Sequence, residues 1–251
     1  MSGHSKWAQI KRQKGANDSK KGLIFTKFGR EITIATRQGG TDPEANFRLR
    51  LAIGRAREAN MPMENIERAI KRAAGLGEGT QIEEVSYEGY GPGGAAILVS
   101  VATDNRNRAA SDVRNAFTRG GGNFGELGCV GWMFKSRGVI LVEIGDKDPD
   151  ELTLLAIDAG AEDVTADSDA GTLEILTDPT KLEAVRREIE KAKLTIVSSE
   201  QAMIPDTSLE IDDNHALTLL KLVDRLEELD DVQKVYTNVE FSDAVLEKYQ
   251  G

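Results

Sequence analysis

Between Gly75 and Gly79 the apolar residues change their spacing, and one kind of secondary structure cannot serve both sides. Upstream the period is that of a helix. Ile24, Phe28, Ile32 and Ala35 form one stripe from Lys20 to about Gln38, where Gly39-Gly40 supplies a stop. Thr41-Asp42-Pro43 offers a cap followed by a first-turn proline, and Leu49, Ala52, Ile53 and Ala56 repeat the stripe to about Ala59. A third start at Pro62 carries Ile66, Ala69, Ile70 and Ala73. Three short helices with small loops predict a compact helical domain.

Downstream, short β-rich runs alternate with helical patterns. Strands are expected at 85–90, 95–103, 130–134, 139–144, 163–166, 172–176, 195–203, 209–211 and 232–239. Helices are expected around Val113, Leu155, Val185 and Leu220. From Val139 to Met203 the order is β-α-β-β-α-β, a complete split βαβ module. With that segment removed, 95–134 joined to 209–239 gives the same order again. The fold class is therefore α+β with three domains: a helical N-terminal domain and two ferredoxin-like domains, one inserted in the other. The expected boundaries are a basic arm over 1–20, the helical domain over 21–78, a discontinuous α+β domain over 82–135 plus 206–241, and the insert over 138–205.

Charge follows the same division. Through Gly75 there are 16 Lys and Arg against 7 Asp and Glu, whereas the whole chain has 32 against 42 and a net charge of −10. A basic head on an acidic body suits a protein that offers one end to a polyanion. The lone Cys129 makes no intrachain disulfide, and with only His4 and His215 beside it no zinc site is readable. The stretch 95–102 is too short to span a bilayer, and the N-terminal residues lack the apolar core of a secretory signal, so no membrane is implied and a cytoplasmic location is expected.

Within the arm Lys6, Lys11, Arg12, Lys14, Lys20 and Lys21 fall in sixteen residues, opposed only by Asp18, with Trp7 among them. Cations pair with phosphate oxygens, and an indole stacks on an unpaired base. Lys27, Arg30 and Arg37 continue the basic flank along the first helix. These ten residues are the candidate nucleic-acid contacts. The competing reading has Trp7 packing back on the head and the cations serving solubility.

In Asp104-Asn105-Arg106-Asn107-Arg108, Asp104 is a candidate cap, yet Arg106 and Arg108 sit in a first turn, where the helix dipole disfavours cations. An anion, or a carboxylate across a domain boundary, would explain them. The glycine run 89–94 lacks the Gly-Lys-Ser/Thr ending of a phosphate loop and precedes a strand, so it reads as a hairpin turn; Gly120-Gly121-Gly122 reads as a helix C-cap. The acidic clusters at 146–151 and 210–213 complement helix starts. No nucleophile with a partner base and no metal set is legible, so catalytic residues, metals and cofactors are expected to be none.

The opening Gly3-His4-Ser5-Lys6-Trp7, the runs Asp42-Pro43-Glu44-Ala45-Asn46, 87–94 and 104–108, and Asp230-Asp231-Val232-Gln233-Lys234-Val235-Tyr236 together resemble the YebC family over essentially the whole chain. Gly121-Gly122-Asn123 and Met203-Ile204-Pro205 extend the match, while Phe47 stands where that family usually has proline. The resemblance implies three domains, and bacterial members described as transcriptional regulators that bind DNA. It also implies kinship with a mitochondrial translational activator of cytochrome oxidase and with ribosome-associated factors. The expected function is a non-enzymatic nucleic-acid-binding regulator of gene expression acting on DNA. One alternative is a translational activator that binds RNA or the ribosome; another is a ferredoxin-like small-molecule sensor. The residues fix no oligomeric state.

Overall fold

The computed structural model describes residues 18–75, 81–168 and 170–250, with side chains from 21 through 249. It is α+β, with eight α-helices and two four-stranded antiparallel sheets among those residues.

The head is built from α1 (Asp18–Gly39), α2 (Phe47–Glu58) and α3 (Met63–Ala74). Its core is Ile32, Ala35, Leu49, Ala52, Ile53, Ala56, Met61 and Ile66, the stripes that the spacing marks, with Phe25 and Phe28 packed against it. The α1–α2 corner differs from expectation. The cap is not Thr41 or Asp42 but buried Asn46, whose carbonyl oxygen accepts from Leu49 N at 3.1 Å. Its amide donates to Ala35 O and Gly40 O, both at 2.8 Å, so one side chain ties the end of α1 to the start of α2. A Cβ on Gly39 would lie 2.6 Å from that amide, which is why the helix ends on glycine. Pro43 falls in the preceding turn, and Phe47 takes the first helical position, the one proline tolerates best.

One compact unit holds the described residues of 18–133 and 207–250; residues 134–206 form another. In the first, β1 (Glu83–Tyr90) and β2 (Ala96–Thr103) pair as an antiparallel hairpin across a 3₁₀ turn at Pro92–Gly94. Gly93 and Gly94 have φ of 72° and 79° there, so the glycine run is a turn, as its sequence suggests. Then come α4 (Arg106–Arg119), β3 (Asn123–Phe124), and, beyond the insert, α7 (Asp213–Glu227), β8 (Val232–Thr237) and α8 (Asp243–Gln250).

The sheet order is β3-β1-β2-β8. The strand expected at 209–211 is only a single bridge, Leu209 to Val239. The third position of the ferredoxin-like sheet is taken instead by β1, from upstream in the chain. Phe117 of α4 and Leu219, Leu220 and Leu226 of α7 are fully buried, as are Ile97 and Val99 of β2.

The second unit contains β4 (Phe134–Glu143), α5 (Pro149–Asp158), β5 (Asp163–Asp167), β6 (Thr172–Thr177), α6 (Leu182–Lys191) and β7 (Ile196–Pro205). Its order, β5-β6-β4-β7, is all antiparallel, the split βαβ arrangement read from the sequence. The strand expected at 130–134 is instead a 3₁₀ turn at 131–133, with only Phe134 in β4, and the one expected at 139–144 begins five residues earlier, as β4. The boundary expected between 135 and 138 thus falls inside β4. No helix among the described residues is long and apolar enough to cross a membrane.

Candidate nucleic-acid interface

Two helical faces meet in a groove of about 480 Å³ on the head. From α1 come Phe25, Gly29, Thr33 and Arg37, and from α3 come Asn65, Arg68, Ala69 and Arg72; both sets repeat at helical spacing, which keeps each on one face. Thr26, Arg30, Met61, Ile82 and Asp104 close the lining, and with Arg30 held elsewhere the arginines Arg37, Arg68 and Arg72 share the groove with a single carboxylate. Arg37, Arg68 and Arg72 are exposed. The floor is apolar. Glu67 and Lys71, paired at 3.8 Å, lie off the lining, so the charged residues that α3 gives to the groove are Arg68 and Arg72.

Lys6, Trp7, Lys11, Arg12 and Lys14 lie outside the described residues, as does the side chain of Lys20. Lys21 is exposed in the first turns of α1. Lys27 and Arg30 turn toward the α+β domain. Lys27 Nζ donates to the carbonyl of Glu227, the last residue of α7, where a helix C-terminus attracts a cation. Arg30 donates to the carbonyl of Asp230 and sets its Nη2 2.7 Å from Asp231 Oδ1.

Asp231 gathers three elements. Its Oδ2 accepts from Thr103 Oγ1 at 2.8 Å and from Arg108 Nη2 at 2.9 Å, while Oδ1 takes Arg30. Arg108 also bonds Asp104 at 2.5 Å, and these two carboxylates push the guanidinium's pKa further up. The same bond, opposed by a smaller desolvation effect, holds the Asp104 carboxyl below its usual range. The first-turn arginine is thus explained by carboxylates; Asp231 lies in its own domain, and Arg30 is the group that reaches it from the head. The cap of α4 is Asn105, accepting from Arg108 N at 3.0 Å, not Asp104. Arg106 lies 3.8 Å from Glu83.

A second ordered constellation surrounds Glu88. This buried carboxylate accepts from the backbone N–H groups of Gly128, Val130 and Gly131 at 2.8, 2.7 and 2.6 Å. Burial alone would raise its pKa, but the three donors together outweigh that and lower it. Burial also raises the pKa of nearby Cys129, with Glu88's charge adding to it, which disfavours a reactive thiolate. Among the described residues no group of three or more His, Cys, Asp or Glu side chains is set to hold a metal ion.

A model of the TACO1/YebC N-terminal domain matches residues 5–76, and one of the TACO1/YebC second and third domains matches 82–239. The chain belongs to the TACO1/YebC family. A relative from Moorella thermoacetica is 55% identical over 251 residues, covering 99% of each chain, and carries the name "Probable transcriptional regulatory protein". One from Chloroflexus aggregans with that name is 53% identical and covers 100% of both chains. The crystal structure of a conserved hypothetical protein from Aquifex aeolicus is similar with a TM-score of 0.82 and 47% identity, covering 90% of this chain and 93% of that one. This TACO1/YebC chain therefore shares its fold with an experimentally determined relative.

Arg68 and Arg72 are absent from the contacts expected from sequence. Their signal was present as Asn65-Arg68-Arg72 at i, i+3 and i+7, but it acquires meaning only when α1 lies alongside.

Proposed function

We propose that this chain is a non-enzymatic regulator of gene expression that binds nucleic acid through its helical head. The observation that carries the reading is the groove, where exposed Arg37, Arg68 and Arg72 line one face on a chain whose net charge is −10. Phosphates are attracted to such a face and repelled by the acidic remainder. The arm cations Lys6, Lys11, Arg12 and Lys14 precede α1 and add to the same end of the sequence. The names of the relatives, probable transcriptional regulatory proteins, support a regulatory role, with duplex DNA as the corresponding target.

A second reading, translational activation through RNA, is favoured by the floor of the groove. Phe25, Met61, Ala69 and Ile82 line it, and a duplex backbone has no use for an apolar floor. Either target accords with the cytoplasmic location expected from the sequence. Fluorescence-anisotropy titrations with DNA and RNA over a range of salt test the proposal. Affinity should fall steeply as salt rises; binding that is absent at low ionic strength, or indifferent to salt, overturns it.

A further inference from the structure

Gly29 stands in the middle of α1 and lines the groove, yet a Cβ built there meets nothing within 4 Å. Glycine within a helix costs about 0.5–1 kcal/mol relative to alanine. No neighbour in the described structure requires that cost, so packing does not account for it. A side chain at position 29 would enter the groove, and its absence keeps the floor open beside the partly buried ring of Phe25.

The surrounding chemistry is divided. Phe25, Met61, Ala69 and Ile82 offer an apolar surface, with Arg37, Arg68 and Arg72 exposed at its edges. A flat apolar ring with anionic groups to either side is the complement of such a site, and a nucleotide out of the base stack has that form. Single-strand binding elsewhere combines the same two parts, a ring surface for the base and cations for the backbone. A volume of about 480 Å³ is within the range of small-ligand sites, which begins at roughly 300 Å³, and is far too small for a double helix.

The walls favour a ribose. Thr26 Oγ1 donates to Gly22 O at 3.0 Å and Thr33 Oγ1 to Gly29 O at 2.8 Å, so both hydroxyl protons are committed and the oxygens remain as acceptors. With the Asp104 carboxylate, whose Oδ1 takes Arg108, they put acceptor oxygens among the lining residues, for which a 2′-hydroxyl is a donor that deoxyribose lacks.

Building on the nucleic-acid reading above, we infer that the α1–α3 groove holds an unpaired nucleotide of looped or single-stranded RNA. The base lies over Gly29 against Phe25, and the flanking phosphates meet Arg37, Arg68 and Arg72.

The test compares a hairpin RNA with an unpaired loop, an RNA duplex, and single-stranded RNA and DNA of one sequence, all by anisotropy. Gly29→Leu fills the groove at a site with room for it, and Phe25→Leu keeps apolar bulk while removing the π-face. Each should weaken loop and single-strand RNA binding by about fivefold to a hundredfold, the span expected for one base–aromatic stack, and leave duplex binding unchanged. Unchanged helical circular dichroism and thermal midpoint for Gly29→Leu show that the fold is retained. Wild-type affinity for the loop in Gly29→Leu, or equal losses on loop and duplex, overturns the inference while leaving the broader nucleic-acid reading standing. Single-stranded DNA bound as tightly as RNA, with the same sensitivity to Gly29→Leu, overturns the assignment to RNA. Failure of the wild type to bind any of the four overturns the broader reading and this one with it.

Discussion

Arg30 Nη2 lies 2.7 Å from Asp231 Oδ1, and this ion pair joins the helical head to the discontinuous α+β domain. Asp231 is 8% exposed and Arg30 18%, so little water screens them. Replacing the carboxylate by an amide removes its charge and one of the two acceptor oxygens that Arg30, Arg108 and Thr103 share. Asp231→Asn should lower unfolding free energy by about 3 kcal/mol, the low end for losing one member of a buried pair. Urea unfolding measures it, and faster amide exchange along α1 would show the head loosening first. A loss below about 0.5 kcal/mol would mean that the pair is no joint.

Asn46 predicts a second weak point. Asn46→Ala removes a cap and two amide bonds, leaving Ala35 O without that donor. A loss of about 1–3 kcal/mol is expected from the cap together with the two amide bonds, read as a fall in thermal midpoint. Gly39→Ala should be destabilising as well, since its Cβ has no space beside the same amide.

The corner also shows what sequence could and could not reveal. The apolar stripes of α1, α2 and α3 mark the core because burial follows helical period directly. Asn46 is invisible to that logic, since its two amide acceptors belong to another helix end and exist only after α1 and α2 meet. The groove has the same origin: Arg37 was legible as part of a basic flank, whereas Arg68 and Arg72 depend on the packing of α3. The insert was legible as a complete β-α-β-β-α-β string. Its host was only partly so, because β1 enters the sheet from upstream and the sequential order misassigns the third strand to 209–211.

Glu88 links the 125–133 loop to acidity. Its folded pKa is lowered, so its contribution is complete above the unfolded value and disappears as pH falls through the folded one. Stability measured by urea titration should therefore drop below the ordinary glutamate range, near pH 4, with part of that drop absent in Glu88→Gln. At neutral pH the amide variant should be less stable by about 1–3 kcal/mol, because an NH₂ group then faces backbone donors. An unchanged pH profile in the variant would remove Glu88 from this role.

Salt dependence separates the arm from the groove. If six to nine arm and head cations meet single-strand phosphates, log K should fall against log salt with a slope of about −4 to −6. Truncation just before Asp18, which spares α1, removes Lys6, Lys11, Arg12 and Lys14 and should flatten the slope by about 3. Arg68→Ala and Arg72→Ala should each flatten it by about 0.7. Slopes unaltered by all three changes would exclude these cations as phosphate contacts.

Phe134 and Pro205, the first residue of β4 and the last of β7, are register partners in adjacent antiparallel strands. Neighbouring partners of this kind have Cα atoms about 4.5–5.5 Å apart, a gap that a linker of one or two residues can close. Residues 134–206 therefore leave and re-enter the host at neighbouring strand ends, and joining 133 to 207 through one or two linker residues is the natural way to excise them. A chain shortened in this way keeps the head, the groove and the Asp231 joint, and offers a minimal scaffold for asking what the inserted module contributes.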